Sequence, residues 1–169
     1  MGLELARAAA SDAAAIQNLL QLYTHDFSEH WAGTLKGELG PDGRFPDYPL
    51  DAYWQRAGWR AFLIKVDDAP AGFALLTDES RSSRPVAHTF AEFFVVRKHR
   101  GQGLGRLAAR QLILANIGQW EVAVARKNRA ALAFWRRTIA DCPGVESPHE
   151  LDLRGETWDG PVIRFHVRG

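Results

Sequence analysis

Hydrophobic and polar residues alternate, cluster and recur with changing period along this chain, and each change marks an element. LELARAA (3–9) alternates weakly and predicts a first strand. Ser11 and Asp12 offer an N-cap, after which Ile16, Leu19, Leu20 and Tyr23 recur at helical spacing. Residues 26–50 hold seven Gly or Pro and no clean period, which predicts a long connection of the kind that often carries function. A short helix is expected over 51–56. AFLIKV (61–66) and AGFALLT (71–77) read as two strands, with DDAP as the turn between them. A polar loop, ESRSSRP (79–85), leads to a central strand, HTFAEFFVV (88–96). Leu104, Leu107, Ala108, Leu112 and Ala115 then share one face of a helix running from 103 to about 117. WEVAVA (120–125) is a strand, 129–138 a helix burying Ala131, Phe134 and Trp135, and PVIRFHV (161–167) a last strand. The order is a β-meander followed by β-α-β-α-β, a mixed α/β fold of the α+β type, in one domain over 1–169.

The strand–turn–helix at 88–117 contains FFVVRKHRGQGLG, a basic turn with glycines at 101, 103 and 105. The first N–H groups of a helix have no partners inside it, and the helix dipole adds positive charge there. A phosphate accepts such bonds, provided no side chain blocks its approach. Arg100 and Arg106 add charge nearby. The P-loop pattern is missing, since no Gly-Lys dipeptide occurs. The dinucleotide fingerprint G-x-G-x-x-G fails at Arg106, although Glu121 lies near the expected distance downstream. A dinucleotide oxidoreductase is therefore the weaker reading of the turn.

Composition narrows the partners. The 169 residues carry a formal net charge of +1, which argues against bulk electrostatic binding to nucleic acid or membrane. No run of about 18 apolar residues exists to span a bilayer, and the expectation is a soluble cytoplasmic protein. A single cysteine, Cys142, forms no internal disulfide and reads as a loop thiol. The six histidines show no metal-ligand spacing, so no metal is expected. The net charge hides segregation. Residues 97–137 hold ten Lys or Arg and one acid, whereas 26–51 hold six acids and two bases, and 141–160 six acids and one base. Such a chain suits an anionic ligand beside a cationic one, or else carries clusters of solvated surface charge.

Two motifs carry a family resemblance. Arg100, Gly103 and Gly105 match [QR]-x-x-G-x-[GA], the first motif of the GNAT superfamily of N-acetyltransferases. Downstream, NRAALAFW (128–135) is similar to the family's N-x-x-A-x-x-F-[YW], filled by Asn128, Ala131, Phe134 and Trp135. The resemblance implies a mixed, mainly antiparallel sheet, flanked by helices and splayed between its fourth and fifth strands, with acetyl-CoA in the cleft. It implies that backbone groups of Phe93, Phe94 and Val95 pair with the pantetheine arm. It further implies that the amides of Gly101, Gln102, Gly103, Leu104, Gly105 and Arg106 hold the pyrophosphate. Asn128 is a cofactor contact by resemblance and an N-cap for the next helix by local chemistry; both readings fit.

The activity implied is direct transfer of acetyl from acetyl-CoA to a primary amine, with no acyl-enzyme; the alternative is a non-catalytic acyl-CoA-binding or sensing module. An amine is mostly protonated at neutral pH and needs a base before it can attack. Glu92 is the expected base, its pKa raised by burial on a strand face with Phe90, Phe94 and Val96; the other reading is a sheet-edge charge paired with an arginine. Glu121 is a weaker candidate. Many relatives have tyrosine where this chain has Trp135, and an indole N–H is no acid at neutral pH. Tyr23, His88 and Tyr53 are the possible substitutes, while Trp135 is expected to pack beside the cofactor. The acidic segments point to a cationic acceptor, small molecule or peptide, with Asp26, Glu29 and Asp51 as its contacts. The aromatics at 27, 31, 45, 48, 53, 54 and 59 divide between core and a lid over the acceptor. Homodimers are common in the family.

Overall fold

A strand with both faces buried reads as an unbroken apolar run and sends alternate side chains into two cores. In β3 (Ala69–Thr77) every residue from Ala71 to Thr77 is buried. Ala74 and Leu76 enter one core, Phe73 and Leu75 the other. The computed structural model describes residues 2–169. Its sheet has seven strands, β1 (Leu3–Arg7), β2 (Arg60–Val66), β3, β4 (His88–Val95), β5 (Gly118–Ala123), β6 (Val145–Arg154) and β7 (Asp159–Val167), in the order β1-β2-β3-β4-β5-β7-β6. All neighbours are antiparallel except β4 and β5. On one face lie α1 (Ala13–Ser28) and α2 (Ala52–Gln55); on the other, α3 (Leu104–Leu114) and α4 (Arg129–Ala140).

Two irregularities of β4 shape the centre. It pairs with β5 only at His88↔Trp120, Thr89↔Glu121 and Phe90↔Val122, after which the strands part. Residues 91–95 thus present an unpaired edge, the splay the resemblance implied. Against β3 the register jumps from Leu75↔Glu92 to Leu76↔Phe90, so Ala91 is a bulge. The bulge corrects the expected facing. Phe90 and Phe93 lie with the α3–α4 core, while Ala91, Phe94 and Val96 pack on the α1 side, where Glu92 also meets its partners.

Other boundaries moved for local reasons. Helix α1 continues to Ser28, so Asp26 lies on a helix rather than in the loop. Asp67 and Asp68 both take positive φ (48° and 66°), giving a two-residue hairpin turn and leaving Ala69 and Pro70 in the strand. Helix α3 stops at Leu114, and β5 starts at Gly118. Strand β6 was not expected. It offers only Leu151 and Leu153 as alternating apolar residues, interrupted upstream by Ser147 at φ 49° and by Pro148, which an edge strand tolerates. No helix among the described residues is long and apolar enough to cross a membrane.

Candidate active site

Strand β4 ends in a short helical turn, Arg97–His99, and the glycines follow. Gly101 and Gly103 have φ of +76° and +79°, and a Cβ on either would meet nothing within 4 Å. Their need is conformational, since the left-handed region penalises other residues. Gly103 is the N-cap of α3, whose first bond runs from Leu107 N–H to the Gly103 carbonyl at 2.9 Å. The amides before Leu107 have no partner within the helix, an arrangement able to donate to an anion. Gly105 is helical and forms a bare floor, 3.5 Å from Phe134 and Val95 at its virtual Cβ.

The side chains around this turn do less than their charge suggested. Arg100 donates from Nε to the Val95 carbonyl at 2.7 Å and from Nη2 to Asp26 Oδ2 at 2.5 Å, with its guanidinium over the Phe94 ring. Gln102 ties back to the Lys98 carbonyl at 3.1 Å, and Leu104 is buried with Val66 and Ala71, so both offer only their amides. Arg106 is half exposed, 3.4 Å from Asp141.

Beyond the turn a cleft of about 670 Å³ opens between β4 and α4. The Val96 N–H bonds the Ala71 carbonyl, and the Phe94 carbonyl points at Gly72, so that edge faces β3. Alternation then aims the backbone of Phe93 and Val95, but not of Phe94, at the open edge. Phe94 contributes its ring to the wall. Asn128 caps α4, its Oδ1 accepting from Ala131 N at 3.1 Å, and it also lines the cleft. Trp135 is buried against Phe90 and Phe93 and lines the same cleft as packing.

A second cavity of about 350 Å³ lies on the α1 side of the open sheet. Tyr23, Phe93, Asn128 and Trp135 line both, so the cavities meet there. Glu92 stands in the wall of the second. Tyr23 Oη donates to Glu92 Oε2 at 2.5 Å and Tyr48 Oη to Oε1 at 3.3 Å. Burial raises the Glu92 carboxyl above its ordinary value, and the two hydroxyls hold it back only in part. No arginine pairs with it among the described residues, which removes the sheet-edge reading. Burial and the Glu92 charge push the Tyr23 and Tyr48 hydroxyls well above theirs. Burial likewise pushes Tyr53 up to about 12, with the neighbouring Tyr48 hydroxyl holding it back in part.

Other candidates go elsewhere. Glu121 is wholly buried, ion-paired to Arg164 at 2.6 Å and bonded by Ser80, Ser82 and the Arg81 amide; it anchors the 79–85 loop and faces no acceptor. His88 lies between Arg60 and the Ile117 carbonyl, outside both cavities. Cys142 lies in the connection between α4 and β6, as expected, but is buried against the core, and burial raises its thiol. Asp26 lines the larger cleft, held by Arg97 and Arg100. Glu29 lines that cleft too, exposed and 3.8 Å from His30, and Asp51 lines neither cavity. The acids of 141–160 are mostly paired, Asp141 with Arg106, Glu146 with Arg168, Glu150 with Arg136, and Asp152 and Asp159 with Arg126. The acids of 141–160 are therefore mostly matched within the fold, and none of them lines the second cavity.

Sequence reasoning missed how the wall of the second cavity is built. Gln17 bonds both the Tyr48 carbonyl (2.6 Å) and its N–H (3.1 Å), and Gln21 does the same for Phe45 (3.0 and 2.9 Å). Their i, i+4 spacing on α1 was the available signal. Of the loop aromatics, Phe27, Trp31, Tyr48, Tyr53 and Trp59 line the second cavity, whereas Phe45 and Trp54 do not. Arg81 and Trp158 complete its wall from loops with no period to betray them.

A family model described as Acetyltransferase (GNAT) family matches residues 16–139. No curated protein sequence matches. Among solved structures, a GNAT-family acetyltransferase from Staphylococcus aureus aligns with TM-score 0.64 at 11% identity, over 99% of this chain and 100% of that one. An acetyltransferase from Thermus thermophilus gives 0.59 at 20%, over 99% and 97%. Spermidine N-acetyltransferase from Vibrio cholerae, solved with CoA and spermine, gives 0.57 at 16%, over 98% and 94%. At these identities the likeness is one of fold.

Proposed function

The chain belongs to the GNAT acetyltransferase family, and from that premise we propose that it transfers acetyl from acetyl-CoA directly to a primary amine bound in the smaller cavity. The observation that carries this reading is Glu92, a carboxylate of raised pKa in no ion pair among the described residues, set in the wall of the smaller cavity and bonded to Tyr23 where the two cavities meet. The glycine turn, the free α3 amides and the open edge at Phe93 and Val95 fit the pyrophosphate and the amide-bearing arm of CoA. Acetyl-CoA supplies the acyl group as an activated thioester. Glu92 accepts the proton that an ammonium must lose before nitrogen has a lone pair. Tyr23, bonded to Glu92 and lining both cavities, gives its proton to the departing thiolate and regains one from Glu92. A second amine proton leaves to solvent, and Trp135 takes no part in proton transfer. The only thiol, Cys142, lies in the core, which supports transfer without an acyl-enzyme.

The test follows thiol release from acetyl-CoA across a panel of amines and pH. The wild-type rate rises with pH through the elevated pKa of Glu92. Glu92→Gln loses that limb and about 10²–10⁴-fold in kcat. An unchanged profile in Glu92→Gln contradicts the assignment. Saturable acetyl-CoA binding without release for any amine favours the binding-module reading instead.

A further inference from the structure

The smaller cavity contains a donor with nothing to donate to. Among the described residues Trp158 Nε1, in its wall, is buried without a partner, and Tyr53 Oη, also in its wall, has only the Tyr48 hydroxyl near it. An orphan of this kind costs the fold the hydration it gave up, and a ligand that supplies the acceptor recovers that loss. Arg81 stands beside them. Its guanidinium lies 5.5 Å from the centroid of the Trp158 ring and has no carboxylate within salt-bridge distance among the described residues. Its charge is felt at both Tyr53 and Glu92. The other charges on this wall are engaged. Glu79 pairs with Arg56 at 3.1 Å, and Glu92 is held by two tyrosines.

The Arg81 backbone, by contrast, is fixed. Its N–H and that of Ser82 bond Glu121 Oε1, and the Ser80 and Ser82 hydroxyls bond Oε2. Arg164 closes the network against Glu121, Ser82 and the Pro85 carbonyl. A buried ion pair thus holds in place a loop whose exposed arginine makes no ion pair among the described residues.

We propose that the amine acceptor also carries a carboxylate, seated on the Arg81 guanidinium, Trp158 Nε1–H and Tyr53 hydroxyl, so that the substrate is an amino acid rather than a polyamine. The inference rests on the acetyl-transfer reading above. A carboxylate presents two oxygens to a guanidinium fork and has acceptor capacity left for the N–H and O–H donors. Its amine then faces Glu92, giving the wall a positive end and a basic end that match a zwitterion. A cavity of about 350 Å³ walled by Phe27, Trp31, Tyr48 and Trp59 suits a small molecule with an apolar side chain. A polycation meets the reverse arrangement, because Arg81 already occupies the face of Trp158 where a cation would settle.

The experiment compares thiol release for large apolar amino acids, their decarboxylated amines, their amides, and spermidine, in the wild type and in Arg81→Gln. The wild type prefers the amino acid to its decarboxylated amine by kcat/KM. In Arg81→Gln that preference falls about ten- to a hundred-fold, the size of a lost charge-assisted bond, and the fall appears in KM for the amino acid. Trp158→Phe, which keeps the ring and removes only the N–H, lowers the preference in the same direction. Equal or better turnover of the decarboxylated amine, the amide or spermidine overturns the proposal while leaving acetyl transfer standing. A preference that survives Arg81→Gln overturns it as well. Absence of release with every amine overturns acetyl transfer, and the carboxylate site with it.

Discussion

Glu92 and Asp26 are carboxylates on the same side of the sheet with opposite consequences for stability. At Asp26 burial works against the charge, but hydrogen bonds from Arg97 and Arg100 prevail and hold the carboxyl below its ordinary range. Its contribution is complete above the unfolded-state pKa and is lost as pH falls through the lower folded value. At Glu92 burial prevails and the folded value is raised. Between the ordinary and the raised value the folded state holds more protons than the unfolded one, so stability declines as pH rises through that window. Glu92→Gln removes the titration while keeping an acceptor for the tyrosines. The variant therefore melts above wild type at pH 8, by about 2–4 °C for each kcal/mol of charge burial removed at this chain length, and the gap narrows toward pH 5. Thermal melts across that range check it. A variant that melts below wild type equally at every pH makes Glu92 a structural hub rather than a strained functional group.

At the scale of elements, the wall of the smaller cavity depends on a loop without regular structure, residues 32–50, pinned by two side chains of α1. Gln17 and Gln21 each exchange both amide groups with one loop backbone unit, as a neighbouring strand would. Replacing both with alanine removes four part-buried bonds, each worth about 0.5–1.5 kcal/mol net. The loop then loosens Tyr48 from Glu92. The expected result is a KM for the amine raised about tenfold or more, with the KM for acetyl-CoA within about twofold of wild type; steady-state titration of each substrate in the double variant separates them. The same distinction explains what could be read from the sequence. The meander, the glycine turn and the α4 motif were legible because period and local chemistry specify them. Glu92 was legible as a carboxylate inside an apolar strand. Tyr48, Arg81 and Trp158 were not, since they meet from three separate loops. Strand β6 was not, because Ser147 and Pro148 break its alternation. The acidic segments leave the acceptor open, because charge counted along the chain says nothing of partners across it, such as Arg126 between Asp152 and Asp159.

Across the whole molecule, the sheet separates two cores and is itself interrupted. The α1–α2 core and the α3–α4 core meet through β3, but β4 and β5 hold each other by only three residue pairs. From there outward the Phe93 and Val95 backbone groups face a cleft instead of a strand. A ligand that lays its own amides along that edge and its pyrophosphate on the α3 amides bridges the two halves of the sheet. Binding to the folded state alone then stabilises it by about 2.7 kcal/mol at a hundredfold excess over Kd, or roughly 5–11 °C in Tm at this chain length. CoA is the probe, because it lacks the acetyl group and cannot turn over. Gly103→Ala places a side chain at φ +79°, which costs roughly 1–2 kcal/mol even though the space around it is empty. The turn relieves that strain by moving its amides out of line. The free variant melts lower than wild type, and its rise with CoA is smaller at the same concentration. A rise of undiminished size in Gly103→Ala means that the phosphates sit away from the α3 N-terminus, and the assignment of the glycine turn fails.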